Sequence, residues 1–199
     1  TNWRYADEAN VPRICFINKL DRTGASFEHS FATILDRLTK KAVRVQIPIG
    51  LEDKFEGVID LLRMKAYYFE GEMGNQIIEK DLDSLPENLK ADAQKYHSEL
   101  IEKIVETDDA MMTEYLEGMI PGFDVLKKTL RKAVIANEIF PVFCGSALKN
   151  KGVQLIRDAV VDYLPSPVAL KAVSGIDPNN DDAPVERHAS DKEPFSALA

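Results

Sequence analysis

Two short apolar runs, each followed by a polar loop and then by an amphipathic segment, constrain the fold of this chain most strongly. The first lies within residues 13–17 and the second within 139–144. Runs of this length are typical of strands buried on both faces of a parallel sheet. In such a sheet the loops after the strands meet at one edge, where α/β proteins bind ligands. The loops 18–25 and 145–151 are therefore the candidate site.

Apolar residues recur at helical spacing after both loops, in 27–38 with Ser26 as a plausible N-cap, and in 153–163 before two prolines. Between the two units the pattern changes. It predicts a strand at 43–47 that stops at Pro48, β segments at 58–69 and 77–81, a long helix opened by Pro86, and helices at 108–117 and 126–137. The order indicates an α+β subdomain inserted into a parallel-sheet α/β domain. From residue 171 onward Pro, Asp, Asn and Ser predict a linker.

Composition excludes several classes of protein. The chain is 45% hydrophobic and 29% charged, as in globular domains, and no run of about 18 apolar residues predicts a membrane span. Cys15 and Cys144 lie in apolar runs, which favours buried reduced thiols, and the three histidines form no metal-ligand pattern. The net charge is −8, and residues 79–117 carry 12 acidic and 4 basic side chains. That stretch should repel a nucleic-acid backbone.

The first loop contains Asn18, Lys19 and Asp21. A carboxylate only accepts hydrogen bonds, so Asp21 suits a ligand edge with two adjacent donors, such as guanine N1–H and N2–H₂. Adenine lacks that pair and would leave the carboxylate unpaired, a discrimination on the order of 100-fold or more. Asn18 can supply an amide donor to the opposite edge of the base and link neighbouring loops. The aliphatic stem of Lys19 can lie over the base.

The second loop contains Ser146, Ala147 and Leu148, followed by Lys149. The small Ala147 lets the backbone approach a ligand, and its N–H can donate to a carbonyl such as guanine O6. The Ser146 hydroxyl can brace the loop of Asp21. Leu148 or the stem of Lys149 can close the other face of the base. The alternative is an Asn-capped turn with a solvated Lys and Asp, and the position of the loops after two buried strands favours the guanine site.

Several segments resemble the elongation factor G family of translational GTPases. Residues 11–22 (VPRICFINKLDR) resemble the fourth guanine-nucleotide motif, and 144–154 (CGSALKNKGVQ) resemble the fifth. Residues 45–50 and the acidic stretch resemble the inserted G-prime subdomain, and 162–167 (DYLPSP) is typical of the same family. Residues 194–199 resemble the opening of the second, β-barrel domain. The resemblance covers essentially the whole chain.

The resemblance implies a fold and a division into domains. We expect an α/β fold in which a partial P-loop-GTPase-like parallel sheet carries the inserted α+β subdomain. The expected divisions are the first part of the G domain in 1–40, the insert in 41–122, the C-terminal part of the G domain in 123–168, and a linker with the start of the second domain in 169–199. No glycine is followed by Lys and then Ser or Thr, so the phosphate-binding motif G-x-x-x-x-G-K-[ST] is missing. We therefore expect an internal fragment.

The resemblance also implies a function, cofactors and partners. The parent would be a cytoplasmic GTPase that drives translocation on the ribosome and binds GTP and GDP. The Mg²⁺ ligands and catalytic groups are expected to be absent from this chain, which would be inactive alone and monomeric. The insert would contact the stalk protein of the large ribosomal subunit, with Glu99 and Glu102 on the docking surface, and ribosomal RNA would meet other parts of the parent. The alternative is a protein-interaction module of another ribosomal GTPase, of the ribosome-protection or release-factor type.

Overall fold

The computed structural model describes residues 1–169, 172–177, 180 and 183–195. These residues form two compact units, which divide after Leu164. The helices and strands follow one another in the order α1 Asn2–Glu8, β1 Cys15–Ile17, α2 Phe27–Arg37, β2 Ala42–Arg44, β3 Gln46–Ile49, β4 Gly57–Asp60, β5 Lys65–Glu70, β6 Gln76–Asp81, α3 Glu87–Val105, α4 Asp109–Leu116, α5 Phe123–Ile135, β7 Phe140–Cys144, α6 Val153–Tyr163, β8 Val173–Asp177 and β9 Ala183–Arg187. Among the described residues, no helix combines the length and apolar character that crossing a membrane requires.

A three-stranded parallel sheet joins strands that are distant in sequence. Its order is β1-β7-β2, with Ile17 opposite Cys144 and Arg44 opposite Val142. The two apolar runs are thus neighbouring parallel strands, as predicted. All residues of β7 are buried, which matches a strand covered on both faces. Burial raises the pKa of the Cys144 thiol, and both cysteines are free.

Helix α2 begins where the sequence predicts. The side chain of Ser26 accepts a hydrogen bond from the backbone N–H of His29 at 3.2 Å, which satisfies one of the free donors of the first turn. Helix α3 begins directly after Pro86, whose fixed φ and missing N–H suit a helix start.

The α/β fold with an inserted α+β part is confirmed. The antiparallel strands β3 to β6 and the helices α3 to α5 lie in the chain between β2 and β7, two neighbouring strands of the parallel sheet.

The segment 43–47 is not one strand, contrary to the prediction. Strand β2 pairs with β7, whereas β3 belongs to a four-stranded antiparallel sheet of order β3-β4-β5-β6. The chain changes sheets at Val45, whose N–H donates to Val142 of one sheet while its C=O accepts from Leu61 beside the other. Alternating side chains show that backbone is extended but not which strand it pairs with. Since β2 lies in the parallel sheet, that sheet includes residues beyond the expected insert boundary at residue 41.

Pro48 lies inside β3 and does not end it. Because β3 is at the edge of the antiparallel sheet, a residue without an N–H leaves no internal hydrogen bond unmade. The segment 58–69 is also not one strand, since it turns at residues 61–64 between β4 and β5. The carboxylate of Asp60 accepts from the backbone N–H groups of Leu62 and Arg63, both at 2.9 Å, and so closes this turn.

Arg44 connects the parallel sheet to α2, which precedes the expected insert, and to α3, which lies within it. Its guanidinium carbon lies 4.4 Å from the ring centroid of Phe31 in α2 and 4.0 Å from that of Tyr96 in α3. It also forms ion pairs with Glu28 at 3.1 Å and Glu99 at 3.7 Å. One cation between two rings and two carboxylates thus holds α2 and α3 at the same strand.

The second unit contains a hairpin where the composition predicts a linker. Strands β8 and β9 pair antiparallel, with Gly175 opposite Val185. Every second residue of β9 is half-buried, an alternation too short and too polar to stand out in the sequence. Residues 196–199, in which the resemblance places the opening of a β-barrel domain, lie outside the described residues.

Candidate functional site

The two predicted base loops lie together at one edge of the parallel sheet. Strands β1 and β7 end side by side, and Gly145 N–H donates to Ile17 C=O at 3.0 Å. The next contact runs in the other direction, from Leu20 N–H to Gly145 C=O at 3.2 Å. The prediction that these loops meet, despite more than a hundred intervening residues, is confirmed.

Asn18 links the loops through its side chain. Its Oδ1 accepts from Lys19 N–H at 2.7 Å and from Ala147 N–H at 2.9 Å. The linking role predicted for Asn18 is therefore present in the structure. The Ala147 N–H is the donor predicted to reach a base carbonyl. A bound base would therefore share this N–H with Asn18 Oδ1 or take the place of Asn18 Oδ1 as its acceptor. Contact of either residue with a base stays a prediction.

Asp21 is held as an ionised acceptor. A hydrogen bond from the Ser146 hydroxyl lowers the pKa of the carboxyl, partial desolvation opposes this, and the nearby charges of Lys149 and Arg22 lower it further. The carboxylate is half-exposed, so a ligand can reach it. An ionised carboxylate offers acceptors only, which is what two adjacent ring donors require.

Ser146 is itself fixed by the backbone. It is fully buried, and its N–H and C=O exchange hydrogen bonds with Lys151, both at 2.9 Å. Its Oγ accepts from Lys149 N–H at 3.3 Å, and its hydroxyl can donate to Asp21 at the same time. The predicted contact between Ser146 and the Asp21 loop is thus present, and the reason for it is a closed turn at 146–151.

The two side chains predicted to cover the base faces both lie in solvent. Leu148 is 72% exposed, and Lys19 is exposed with a left-handed backbone conformation, φ +66°. A large apolar side chain that is exposed to solvent is free to pack on a flat ligand. Their roles as covers of the base stay predictions.

Sequence reasoning missed two residues that shape the site. Leu20, which lies between Lys19 and Asp21, is 1% exposed and belongs to the hydrophobic core. Gly145 allows a close approach, because a Cβ there would lie 2.3 Å from Lys151 O and 2.8 Å from the ring of Phe16. The signal for Gly145 was its place directly after a buried strand. Leu20 gave no signal, since one apolar residue in a polar loop is common.

Comparisons with known proteins agree with this geometry. The model of the family described as "Elongation factor Tu GTP binding domain" matches residues 1–166. A crystal structure of a protein from Thermus thermophilus is 25% identical, with a TM-score of 0.74, over 87% of this chain and 26% of that one. The chain thus spans about a quarter of the length of that relative. With most of its residues matched and both base loops in place, the chain belongs to the family of the elongation factor Tu GTP binding domain, the GTP-binding domain of translational GTPases.

Proposed function

We propose that this chain recognises the guanine base of GTP and GDP within a translational GTPase of the elongation factor G kind. The observation that carries the proposal is the bond from Ala147 N–H to Asn18 Oδ1, because it joins the two loops at the carboxyl ends of adjacent strands. Asp21 lies on one loop and its hydrogen-bond donor Ser146 on the other.

The chemistry assigned to the site is base selection. Asp21 accepts from N1–H and the exocyclic amine of guanine, and an adenine base would leave this carboxylate without donors. Lys19 covers one face of the base, and Leu148 or the stem of Lys149 covers the other. The phosphates and Mg²⁺ belong to groups outside this chain, since the sequence holds no G-x-x-x-x-G-K-[ST]. We assign residues 1–40, strand β2 and residues 123–168 to the G domain, the rest of 41–122 to the insert, and 169–199, with the hairpin β8-β9, to a connection leading into a second domain.

Titration of the isotope-labelled chain with GDP tests this function. We expect weak binding with amide shifts at 18–21 and 146–148, and no such shifts with ADP, because both nucleotides carry the same phosphates and differ in the base. We also expect no GTP hydrolysis above the uncatalysed rate, since phosphates and Mg²⁺ dominate catalysis in this class. Equal shifts with ADP would contradict base recognition.

The acidic insert is the proposed ribosome-facing part, through the stalk protein of the large subunit. Helix α3 exposes Glu99 and Glu102, and Glu106 is exposed directly after the helix ends. Glu99 lies 3.7 Å from the Arg44 guanidinium, so reversing its charge would disturb the contact between α2 and α3 as well as any docking. Glu102 is exposed and is the cleaner position to test. If the alternative of a pure interaction module holds, the stalk protein binds and GDP does not.

Glu102→Lys should slow association with the stalk protein several-fold and flatten its salt dependence. Exposed charges at the rim of an interface act mainly on the encounter rate. Stopped-flow association over a salt series measures both quantities. Glu138→Lys, which makes the same charge change at an exposed residue after α5, is the control and should leave the rate near that of the wild type. Equal slowing by both variants would mean that only the net charge matters.

A further inference from the structure

We propose that two segments of the inserted sheet, 50–55 and 71–75, position the base loops and thereby tune guanine selectivity. The proposal rests on the proposed guanine site. Each segment forms hydrogen bonds to one or both loops, although the insert carries none of the residues assigned to the base. In this assignment Glu52 and Lys151 are positioning residues, since they act on the base only through Asp21 and Ala147.

The first segment holds the loop of Asp21. The Glu52 carboxylate accepts from Gly24 N–H at 2.8 Å, and its own N–H donates to Leu20 C=O, also at 2.8 Å. Glu52 has φ +58° and follows Gly50, where an added Cβ would lie 1.9 Å from Lys54 O. A non-glycine residue in this conformation is uncommon and is kept only where the surroundings fix it. The turn therefore holds Glu52 in position to bond to the Asp21 loop at two points, Gly24 N–H and Leu20 C=O.

The same segment also holds the loop of Ala147. The ammonium of Lys151 donates to Phe55 C=O at 2.9 Å. Phe55 is buried in the core, so this carbonyl is a fixed point. Because Lys151 exchanges two backbone bonds with Ser146, the contact is transmitted to the donor of Asp21.

The second segment approaches the Ala147 loop by its backbone. Asn150 Nδ2 donates to Met73 C=O and Gln154 Nε2 to Gly74 C=O, both at 3.0 Å. Gly74 is buried at φ +58°, and a Cβ there would lie 2.9 Å from Lys149 O. Two chain segments this close leave little freedom to the loop that carries Ala147.

These contacts matter for selectivity because the base readers lie on different loops. Asp21 and Ala147 read one edge of the base together only if their loops keep a fixed spacing, and errors of about 1 Å in position weaken such recognition strongly. A loop that is ordered before binding also avoids the entropy cost of ordering it on binding. Loss of one of the hydrogen bonds between the insert and the base loops should therefore reduce the preference for guanine, and not only the overall affinity.

Comparison of GDP with inosine diphosphate measures this preference. Inosine lacks the exocyclic amine, so the Kd of inosine diphosphate divided by the Kd of GDP reports how well Asp21 is aligned. Lys151→Met and Glu52→Ala should each lower that ratio about threefold or more, the scale of one hydrogen bond. Lys151→Arg and Glu52→Gln keep the bonding groups and should restore it. Lys65→Met, which removes the ion pair with Asp81 at the far end of the insert, is the matched control and should leave the ratio unchanged.

Amide hydrogen exchange of the ligand-free chain gives a second readout that needs no nucleotide. The Leu20 and Ala147 amides should exchange faster in Lys151→Met and in Glu52→Ala, although neither substitution removes their acceptor atoms. Unchanged exchange in both variants, or equal weakening of both nucleotides, would overturn the positioning role. If the wild type does not prefer GDP over inosine diphosphate, the proposed function fails, and the exchange rates alone decide whether the insert braces the loops.

Discussion

Asp21→Asn is expected to weaken the binding of guanine nucleotides on the order of 100-fold and to improve the binding of xanthine nucleotides. The amide presents a donor where the carboxylate presents an acceptor, and xanthine carries an oxygen where guanine carries its amine. The shape of the side chain is nearly unchanged, so the loops should keep their spacing. The Ser146 hydroxyl can still donate to the amide oxygen.

Parallel titrations with GDP and xanthosine diphosphate measure the effect as a ratio, which remains defined when both bind weakly. Asp36→Asn is the control, because it makes the same chemical change at an exposed position of α2. It should leave both affinities unchanged. An Asp21→Asn variant that loses GDP without gaining xanthosine diphosphate would assign the carboxylate to loop structure and not to the base.

The parts of the fold that the sequence predicts are those in which one local pattern has one structural solution. Strand β7 is buried at every residue, whereas β1, at the edge of the sheet, buries Ile17 and leaves Cys15 and Phe16 half-buried. Each apolar run is short and is followed by a polar loop and a helix, so both are predicted as strands without ambiguity. Ser26 and Pro86 determine helix starts by local chemistry alone. The same holds for the base loops, whose polar residues directly follow the two strands.

Other parts depend on partners that are distant in sequence. The break between β2 and β3 at Val45 exists because two sheets compete for the same backbone, and nothing in residues 43–47 records it. The turn at 61–64 is made of two leucines, an arginine and a methionine, none of which is typical of turns. Its closure by Asp60 is visible only in three dimensions.

The candidate site shows the same division. The proximity of Asn18, Asp21 and Ser146 is predictable because their loops directly follow two neighbouring strands. The contribution of the insert is not, since Glu52 is one acid among many in a chain with 33 Asp and Glu residues. Only its 2.8 Å contact with Gly24 separates it from a solvated carboxylate.

Leu20→Ala should lower the free energy of unfolding by about 2–5 kcal/mol, the range for a leucine removed from a packed core. Leu20 is 1% exposed, and its backbone is bonded on both sides, from its N–H to Gly145 and from Glu52 to its C=O. The cavity would therefore form under the base loop, where the backbone has little room to collapse into it. Urea unfolding followed by circular dichroism measures the change as a shift in midpoint at constant slope.

Leu148→Ala makes the same truncation in the other base loop at a side chain that is 72% exposed, and it should change stability by less than about 0.5 kcal/mol. Similar midpoints for the two variants would show that Leu20 is not part of the core and that the Asp21 loop is held by hydrogen bonds alone.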